Sequence, residues 1–463
     1  MPSLNSGDTA WVLASAALVM LMTPGLAFFY GGMVRGKNVL NMLMMNFVCL
    51  AVVTVLWTIY GYSWSFGDDA FGGLVGNGQF AMLEHTIGGF VGAAVTGPPA
   101  VAWPGSDALP ATAFVMFQLM FAVITPALIS GAIADRVKFW SWTLFVAGWV
   151  TICYFPVAHW VFNFNGFTGP DAVGGWIANN LKAEDFAGGT AVHINAGAAA
   201  LALIIVLGKR RGWPRERMRP HNIPYVLLGA SLLWFGWYGF NAGSALSASD
   251  LAGVAFTNTT IATATAVLGW LLVEQFRDGK PTTLGAASGA VAGLVAITPA
   301  CGYVNPLGSI VIGLIAGAVC ALAVGLKFRF GYDDALDVVG VHLVGGIIGT
   351  VLIGFLGDPS VNAASAGAGL FYGGGWTQLG RQAIAAGSVL AYSFVCALVL
   401  GLIIKYTIGF RVSEEAEMVG LDETEHAETA YDFSILGGGS GIPSGAHSAV
   451  IRDSLSATAG KER

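Results

Sequence analysis

The sequence predicts an all-α membrane protein with eleven transmembrane helices. Three observations carry this prediction: 55% of the residues are apolar, only 10% are charged, and the apolar residues fall into eleven long runs. A typical soluble protein has about 25% charged residues, and a membrane-spanning helix needs roughly 20 mostly apolar residues. Glycine supplies 65 of the 463 residues, which suits membrane helices that pack closely through small side chains.

Each apolar run is long enough to cross a membrane as one helix. The predicted runs are Thr9–Val34, Val39–Phe66, Ala108–Ala134, Phe139–Phe162, Phe186–Leu207, Ile223–Leu246, Val254–Phe276, Thr283–Val304, Leu307–Leu326, Val338–Leu356 and Ala383–Phe410. Pro24, Pro126, Pro156 and Pro299 fall within runs. A membrane helix tolerates proline and often bends there, so these residues do not interrupt the predicted spans.

Lysine and arginine concentrate in the connections after odd-numbered runs, and basic connections stay in the cytoplasm. The connections after even-numbered runs hold only Lys182 and Arg381. Those after odd-numbered runs hold Arg35, Lys37, Arg136, Lys138, Lys209, Arg210, Arg211, Arg215, Arg217, Arg219, Arg277, Lys280, Lys327 and Arg329, and run eleven ends with Lys405 and is followed by Arg411. The predicted protein therefore crosses the cell membrane many times, with its N-terminus outside and its C-terminus inside.

The chain changes character after Phe410. Residues 1–410 form the predicted transmembrane domain, residues 411–433 an acidic cytoplasmic tail, and residues 434–463 a Gly- and Ser-rich C-terminus that we predict to be disordered. The acidic residues of the tail are Glu414, Glu415, Glu417, Asp422, Glu423, Glu425, Glu428 and Asp432. They share a predicted side with the basic connections, so we expect the tail to dock under the transmembrane domain.

Two runs contain a histidine in a matching context. His193 in run five and His342 in run ten each follow a valine and precede a glycine by four residues. Five spans separate them, and because five is odd, the two halves would insert with opposite orientation. The sequence thus predicts a five-plus-five inverted repeat with run eleven added. Transporters built this way place their binding site near the midplane, between the halves.

An ionisable side chain inside a membrane span is costly and usually marks a pathway. His193 and His342 therefore indicate a pore, although a structural histidine bonded to a backbone carbonyl is an alternative for each. Asp185 and Asp337 precede the two histidines by eight and five residues, and each can cap the start of a helix. A metal site of two histidines and a carboxylate also stays open here. The cysteines lack metal-binding spacing and are predicted to be buried free thiols.

Aromatic residues form two further clusters. Phe117 and Phe121 lie four residues apart, on one helix face. Trp237 and Phe240 lie close together in the sequence, and Ser244 follows Phe240 by four residues. Aromatic stripes usually pack against other helices or lipid. Around a small cation, the same rings would provide cation–π attraction, and the serine hydroxyl would accept an N–H hydrogen bond.

Seven segments together resemble the ammonium transporter family (Amt/Mep/Rh), on its Amt branch. They are "GLAFFYGGMVRGKNVLNMLM", "FQLMFAVITPALISGAIADR", "DFAGGTAVHINAG", "WYGFNAGSA", "TPACGYV", "DVVGVHLVGG" and "GLDETEHAETAYDF". They occur in order, and the match as a whole runs from about Ala10 to Phe433. The resemblance implies a homotrimer of eleven-helix subunits, each with its own narrow pore.

The resemblance also implies an outer site that recruits ammonium. Phe117 and Ser244 match this site, and Asp185 matches a buried carboxylate that supports recruitment. Phe162 occupies the position of a family tryptophan. Trp160 is two residues away and so points to another helix face. A second departure is Ala427, where the family tail commonly has glycine.

Below the outer site, the resemblance implies a gated pore. Phe121 and Phe240 match a stacked pair that gates the way inward. His193 and His342 match twin histidines that are hydrogen-bonded to each other, and Trp237 matches an aromatic residue that lines the pore beside them.

The implied function is uptake of ammonium or ammonia through this pore, with methylammonium as a further substrate left open. No enzyme activity, cofactor, metal or nucleic acid is implied. The implied partners are the lipid bilayer and a cytoplasmic PII-type signal protein. The alternative is an ammonium sensor that acts through a cytoplasmic partner. A membrane enzyme is disfavoured because no nucleophile accompanies the histidines.

Overall fold

The computed structural model of the protein describes residues 4–92, 109–169, 171–216 and 218–431. Within these residues, 10 helices are long and apolar enough to cross a membrane. They are α1 (Ser6–Met33), α2 (Val39–Phe66), α3 (Ala111–Ile133), α4 (Phe139–Phe162), α5 (Gly189–Leu207), α6 (Ile223–Ala245), α7 (Asp250–Asp278), α9 (Pro306–Phe330), α10 (Val339–Leu356) and α11 (Thr377–Thr407). A shorter apolar helix, α8, covers Thr283–Ile297. A two-stranded antiparallel ribbon pairs β1 (Phe90–Val91) with β2 (Leu109–Pro110).

The helix α8 is shorter than the sequence predicted. The apolar run extends to Val304, but the helix ends at Ile297 after 15 residues, and Pro299 lies in the turn that follows. Proline ends a helix because it lacks an N–H donor and its ring clashes with the preceding turn. At 1.5 Å per residue, α8 is only about 22 Å long, so the count of eleven complete spans stays a prediction.

Four of the long helices contain a π-helical turn. These turns are Trp57–Gly61 in α2, Val150–Tyr154 in α4, Gly189–Ile194 in α5 and Val339–Leu343 in α10. Such turns are rare and are often found at functional sites. The turns in α5 and α10 hold His193 and His342, so the two histidines share a local backbone geometry as well as a sequence context.

The helices pack through glycine at their closest contacts. The helix α1 packs along α6, and a Cβ atom on Gly239 of α6 would lie 2.7 Å from the Ser15 carbonyl oxygen of α1. Likewise α7 packs along α9, where a Cβ atom on Gly269 would lie 2.7 Å from the Leu314 carbonyl oxygen. Larger side chains would force these helices apart, which explains part of the high glycine content.

Contacts in the first five helices have counterparts in the next five. The helix α1 contacts α3 and α2 contacts α4, while α6 contacts α8 and α7 contacts α9. An inverted repeat requires this correspondence, although the repeat itself and the orientation of the termini stay predictions.

A buried network of charges lies where α3, α5 and the segment before α10 meet. The Asp333 carboxylate accepts hydrogen bonds from Arg136 Nη1 at 2.7 Å and from Arg210 Nη2 at 2.8 Å. Arg210 also lies 3.5 Å from Asp135, which pairs with Arg35 at 3.1 Å. Burial raises the pKa of Asp333, but the hydrogen bonds and charges of the two arginines outweigh this effect and lower it. We call this end of the molecule the basic end.

The segment after Phe410 lies against the basic end. It forms two short helices, α12 (Glu414–Val419) and α13 (Leu421–His426). Glu417 accepts a hydrogen bond from the Arg211 amide at 3.0 Å, and Asp422 accepts one from the Asn41 amide at 2.8 Å. Acidic residues of this tail thus bind the connection after α5 and the first turn of α2. Residues 432–463, which include the predicted disordered C-terminus, lie outside the described part of the chain.

The tail contains one strained residue, Ala427, which directly follows α13 with a φ of +55°. A left-handed conformation costs a non-glycine residue about 1–2 kcal/mol. We therefore expect Ala427→Gly to stabilise the docked tail and to slow hydrogen exchange of the α13 amides. The matched control is Ala416→Gly within α12. Glycine weakens a helix interior, so this variant should speed hydrogen exchange of the tail amides. Faster exchange in both variants would contradict the expectation.

Candidate binding site and pore

Asp185 shapes the start of α5. Its carboxylate accepts hydrogen bonds from the amides of Gly188, Gly189 and Thr190, each at 2.7 Å, and from the Thr190 hydroxyl. Gly188 has a φ of +120°, which a residue with a Cβ atom adopts only with strain. Burial raises the pKa of Asp185 even though these hydrogen bonds oppose the shift. The sequence interpretation of Asp185 as a helix cap is therefore confirmed.

The corresponding cap of α10 is Asp334, and the expectation for Asp337 was wrong. Asp334 accepts hydrogen bonds from the Val338 and Val339 amides at 3.1 and 2.8 Å. Asp337 instead pairs with Lys327 at 2.6 Å. Asp334 precedes its histidine by eight residues, as Asp185 does. This equal spacing is the signal that sequence reasoning missed.

A small cavity lies beside Asp185, and we name it the Phe162 cavity. Its volume is about 20 Å³, enough for one guest of the size of water. The Ser244 hydroxyl donates its hydrogen to the Phe240 carbonyl at 2.8 Å, so its lone pairs are available to an N–H donor. The lining residues are Phe114, Gln118, Phe121, Phe162, Phe164, Phe167, Asp185, Phe186, Ser244 and Leu246.

Two aromatic residues considered in the sequence do not line this cavity. Phe117 is fully buried and packs against Phe121, with ring centroids 4.9 Å apart. Trp160 donates its indole hydrogen to the Leu74 carbonyl at 2.8 Å and packs on Tyr392, with ring centroids 4.7 Å apart. Trp160 therefore does not replace the tryptophan expected at position 162, and a direct role for Phe117 stays a prediction.

Two packed rings close the Phe162 cavity toward the centre of the bundle. The centroids of Phe121 and Phe240 are 4.3 Å apart, and the ring planes are tilted by 40°. Phe121 lines the Phe162 cavity, whereas Phe240 lines a second cavity that contains both histidines. The two rings therefore lie between the two cavities, and their role as a gate stays a prediction.

We name the second cavity the twin-histidine cavity. His193 Nδ1 and His342 Nδ1 lie 3.3 Å apart, and the two ring planes differ by 19°. Trp237 stacks on His193 at 5.4 Å and donates a hydrogen bond to the Thr298 hydroxyl at 2.8 Å, which fixes the indole. The structure thus brings together three residues that lie far apart in the sequence.

The twin-histidine cavity is narrow and almost entirely apolar. Its volume is about 10 Å³, at the lower limit for holding one water molecule. No charged side chain lines it, and among the described residues His193 Nε2 has no hydrogen-bond partner. The lining residues are Met22, Leu26, Ile124, Leu128, Val192, His193, Leu233, Trp237, Phe240, Val291 and His342. The described part of the chain contains no group of three or more His, Cys, Asp or Glu residues that could hold a metal ion.

Comparison with known proteins decides the family. The sequence profile of the Ammonium Transporter Family matches residues 10–431. The chain belongs to this family. The ammonium transporter of Mycobacterium tuberculosis is 62% identical over 443 residues, which cover 94% of this chain and 92% of that protein. The family that the sequence motifs indicated is therefore confirmed.

Solved structures of ammonium transporter relatives share the fold. Mep2 of Saccharomyces cerevisiae is 33% identical and superposes with a TM-score of 0.78, covering 89% of this chain and 88% of that chain. A protein described as a sensor Amt protein is 30% identical and superposes with a TM-score of 0.80, covering 91% of this chain and 98% of that chain. Like other members of the ammonium transporter family, this chain is a multi-pass membrane protein, and its family is one of transporters rather than enzymes.

Proposed function

We propose that the protein takes up ammonium across the cell membrane by capturing the cation in the Phe162 cavity and passing neutral ammonia through the twin-histidine cavity. The observation that carries this proposal is the close contact of two buried imidazoles in a cavity that is otherwise apolar. The proposed protein has eleven spans in a five-plus-five inverted repeat plus one, with its N-terminus outside. The Phe162 cavity then faces outward, and the basic end and the tail lie in the cytoplasm.

Capture depends on groups that favour a small cation with N–H donors. Phe162 and Phe121 present aromatic rings to the cavity, and ring faces attract cations. Ser244 supplies a hydrogen-bond acceptor, and Asp185 supplies negative charge at the rim. Phe117 supports this site from behind by fixing Phe121.

Selectivity follows from the cost of moving a charge into the apolar pore. Ammonium and potassium have the same charge and similar size, and a bare cation in such a tunnel faces a barrier of roughly several kcal/mol. Ammonium avoids this barrier because it can release a proton and cross as ammonia. Potassium has no proton to release, so it is excluded.

The twin histidines offer hydrogen bonds without a fixed charge. When one Nδ1 donates a hydrogen to the other, the two Nε2 atoms differ: one is an acceptor and the other carries a hydrogen. Ammonia can therefore be held by a donor and an acceptor in succession. An aspartate or lysine would place a charge there, which explains the choice of histidine.

The proposed assembly is a homotrimer with one pore in each subunit, and a cytoplasmic PII-type protein is the proposed partner of the basic end. The exposed aromatic residues on the bundle surface supply area for contacts with lipid or with neighbouring subunits. They include Trp140, Phe276, Phe330, Trp376 and Tyr406.

Flux in liposomes tests the function. Purified protein in liposomes should admit ammonium or methylammonium down a gradient and should exclude potassium, whereas liposomes without protein should admit neither substrate at a comparable rate. The sensor alternative, which the family comparison does not favour, predicts ammonium binding without flux. Well-assembled protein that binds ammonium and gives no flux would therefore contradict the proposal.

Phe162→Trp should strengthen capture. Indole attracts a cation more strongly than phenyl, and the gain at such a site is about 0.5–1 kcal/mol. We expect the substrate concentration for half-maximal flux to fall by roughly two- to fivefold, with little change in the maximal rate. The matched control is Phe71→Trp, the same substitution at an exposed phenylalanine outside this lining, which should leave the half-maximal concentration unchanged. An unchanged or higher half-maximal concentration in Phe162→Trp would show that the ring at position 162 does not contact the cation.

A further inference from the structure

A second buried carboxyl group, that of Glu184, lies directly before Asp185. Only 4% of the Glu184 surface is exposed. Its Oε1 atom accepts hydrogen bonds from the Ser365 hydroxyl and the Ala366 amide, both at 2.6 Å. Its Oε2 atom is buried and has no hydrogen-bond partner among the described residues. Because an unpaired buried oxygen is costly, a carboxyl group held here without a function would be unexpected.

The backbone of Glu184 is clamped to α11, so the position of its carboxyl group is fixed. Its amide donates to Gln382 Oε1 at 2.7 Å, and its carbonyl accepts from Gln382 Nε2 at 2.7 Å. The same Nε2 atom also donates to the Thr350 carbonyl of α10 at 3.1 Å. The next two residues, Asp185 and Phe186, line the Phe162 cavity. Glu184 therefore lies directly before the lining of this cavity in the chain, and its backbone is held in place.

Few ionisable groups act on Glu184. Arg381 of α11 attracts its negative charge, and Tyr303, in the connection between α8 and α9, lies within electrostatic range of both Glu184 and Asp185. Lys182 is on the same segment as Glu184. Burial, followed by the charges of Glu184 and Asp185, raises the pKa of Tyr303 well above its ordinary value, so this phenol stays neutral.

Glu184 itself changes charge near neutral pH. Burial raises the pKa of Glu184 to about 7, against the opposing effect of the hydrogen bonds from Ser365 and Ala366. Because the pKa is raised, the carboxyl group is protonated and neutral below this pH. The negative charge appears as the pH rises through the pKa.

We propose that Glu184 is a titratable positioning residue that strengthens capture of a small monovalent cation in the Phe162 cavity. This inference rests on the proposed transport function and adds a regulation of the same site. Ionised Glu184 places a second negative charge behind Asp185, and salt screens buried charges only weakly. Glu184 does not line the pore, so its charge changes the capture of ammonium and not the passage of ammonia.

The test compares flux on the two sides of the Glu184 pKa. The half-maximal ammonium concentration is measured in liposomes with the outer pH set one unit below and one unit above neutrality. We expect the wild type to have a half-maximal concentration about threefold lower at the higher pH, with the same maximal rate. Glu184→Gln should abolish this difference and keep the weaker, low-pH value at both pH values.

The matched control is Glu84→Gln, the same substitution at an exposed acidic residue in the connection between α2 and α3. This variant should retain the wild-type pH dependence, and it also accounts for any titration of the substrate. Ser365→Ala is a second test in case Glu184→Gln fails to assemble. It removes a donor to the carboxylate, so the pH dependence should persist with its midpoint at higher pH.

The outcomes separate this inference from the transport function. Wild-type flux with a pH-independent half-maximal concentration would overturn the role of Glu184 and leave transport intact. The same pH dependence in Glu184→Gln as in the wild type would also overturn that role. Absence of ammonium flux in assembled wild-type protein would overturn the transport function and this inference with it.

Discussion

Potassium should cross the pore once His193 or His342 is replaced by aspartate. The two imidazoles meet at 3.3 Å in a cavity without any charged side chain. An aspartate would place a carboxylate there and would offset the cost of bringing a bare cation into the apolar tunnel. We expect His193→Asp and His342→Asp to gain a potassium flux that is absent in the wild type, measured in liposomes under a potassium gradient.

Alanine provides the control for this expectation. His193→Ala and His342→Ala remove one hydrogen-bonding partner without adding charge, so ammonium flux should fall and potassium should stay excluded. Correct assembly of every variant is checked by size and by its unfolding temperature. Aspartate variants that assemble, keep wild-type ammonium flux and still exclude potassium would contradict a pore role for the two histidines.

Asp333→Asn should destabilise the protein strongly. The asparagine leaves the charges of Arg136 and Arg210 buried without their carboxylate, and the loss of one partner from such a network costs about 3–5 kcal/mol. The unfolding midpoint in detergent should fall accordingly. Asp171→Asn, at an exposed acidic residue, makes the same chemical change and should leave the midpoint unchanged.

The stability that Asp333 contributes should depend on pH in one direction. The folded-state pKa of Asp333 is lowered, so its contribution is complete above the ordinary aspartate pKa of about 3.9 and is lost as the pH falls further. The wild type and Asp333→Asn should therefore differ fully at neutral pH and converge only in strong acid. A difference that vanishes at neutral pH would show that the ion pairs contribute nothing to stability.

The sequence predicted the site best where a buried polar residue stood out in an apolar run. His193 and His342 were predicted from such contrast, and the structure places their rings together. Asp334 was missed because its signal is a spacing shared with Asp185, which is apparent only when the two halves are aligned on their histidines. Asp337 is nearer to His342 in the sequence, so it was expected to cap α10. In the structure the amides at the start of α10 instead point to the Asp334 carboxylate.

Other features depend on packing, which a linear pattern does not contain. The apolar run of α8 extends to Val304, but the helix ends at Ile297. Pro299 restricts the backbone of the residue before it and cannot donate a helical hydrogen bond. Phe117 and Phe121 share a helix face, yet only Phe121 reaches the Phe162 cavity. The sequence analysis did not single out Glu184, because its contacts come from residues nearly two hundred positions away, Ser365 and Gln382.

The size of the twin-histidine cavity has a consequence for traffic. A space of about 10 Å³ admits one molecule at a time, and water matches ammonia closely in size and in hydrogen bonding. Under the proposed function, the two molecules therefore pass one behind the other and compete for the same imidazole nitrogens. The cavity then determines which molecules enter and how often they pass. Under the same proposal, the direction of net movement is determined outside the cavity, by the difference in ammonium and ammonia concentration across the membrane.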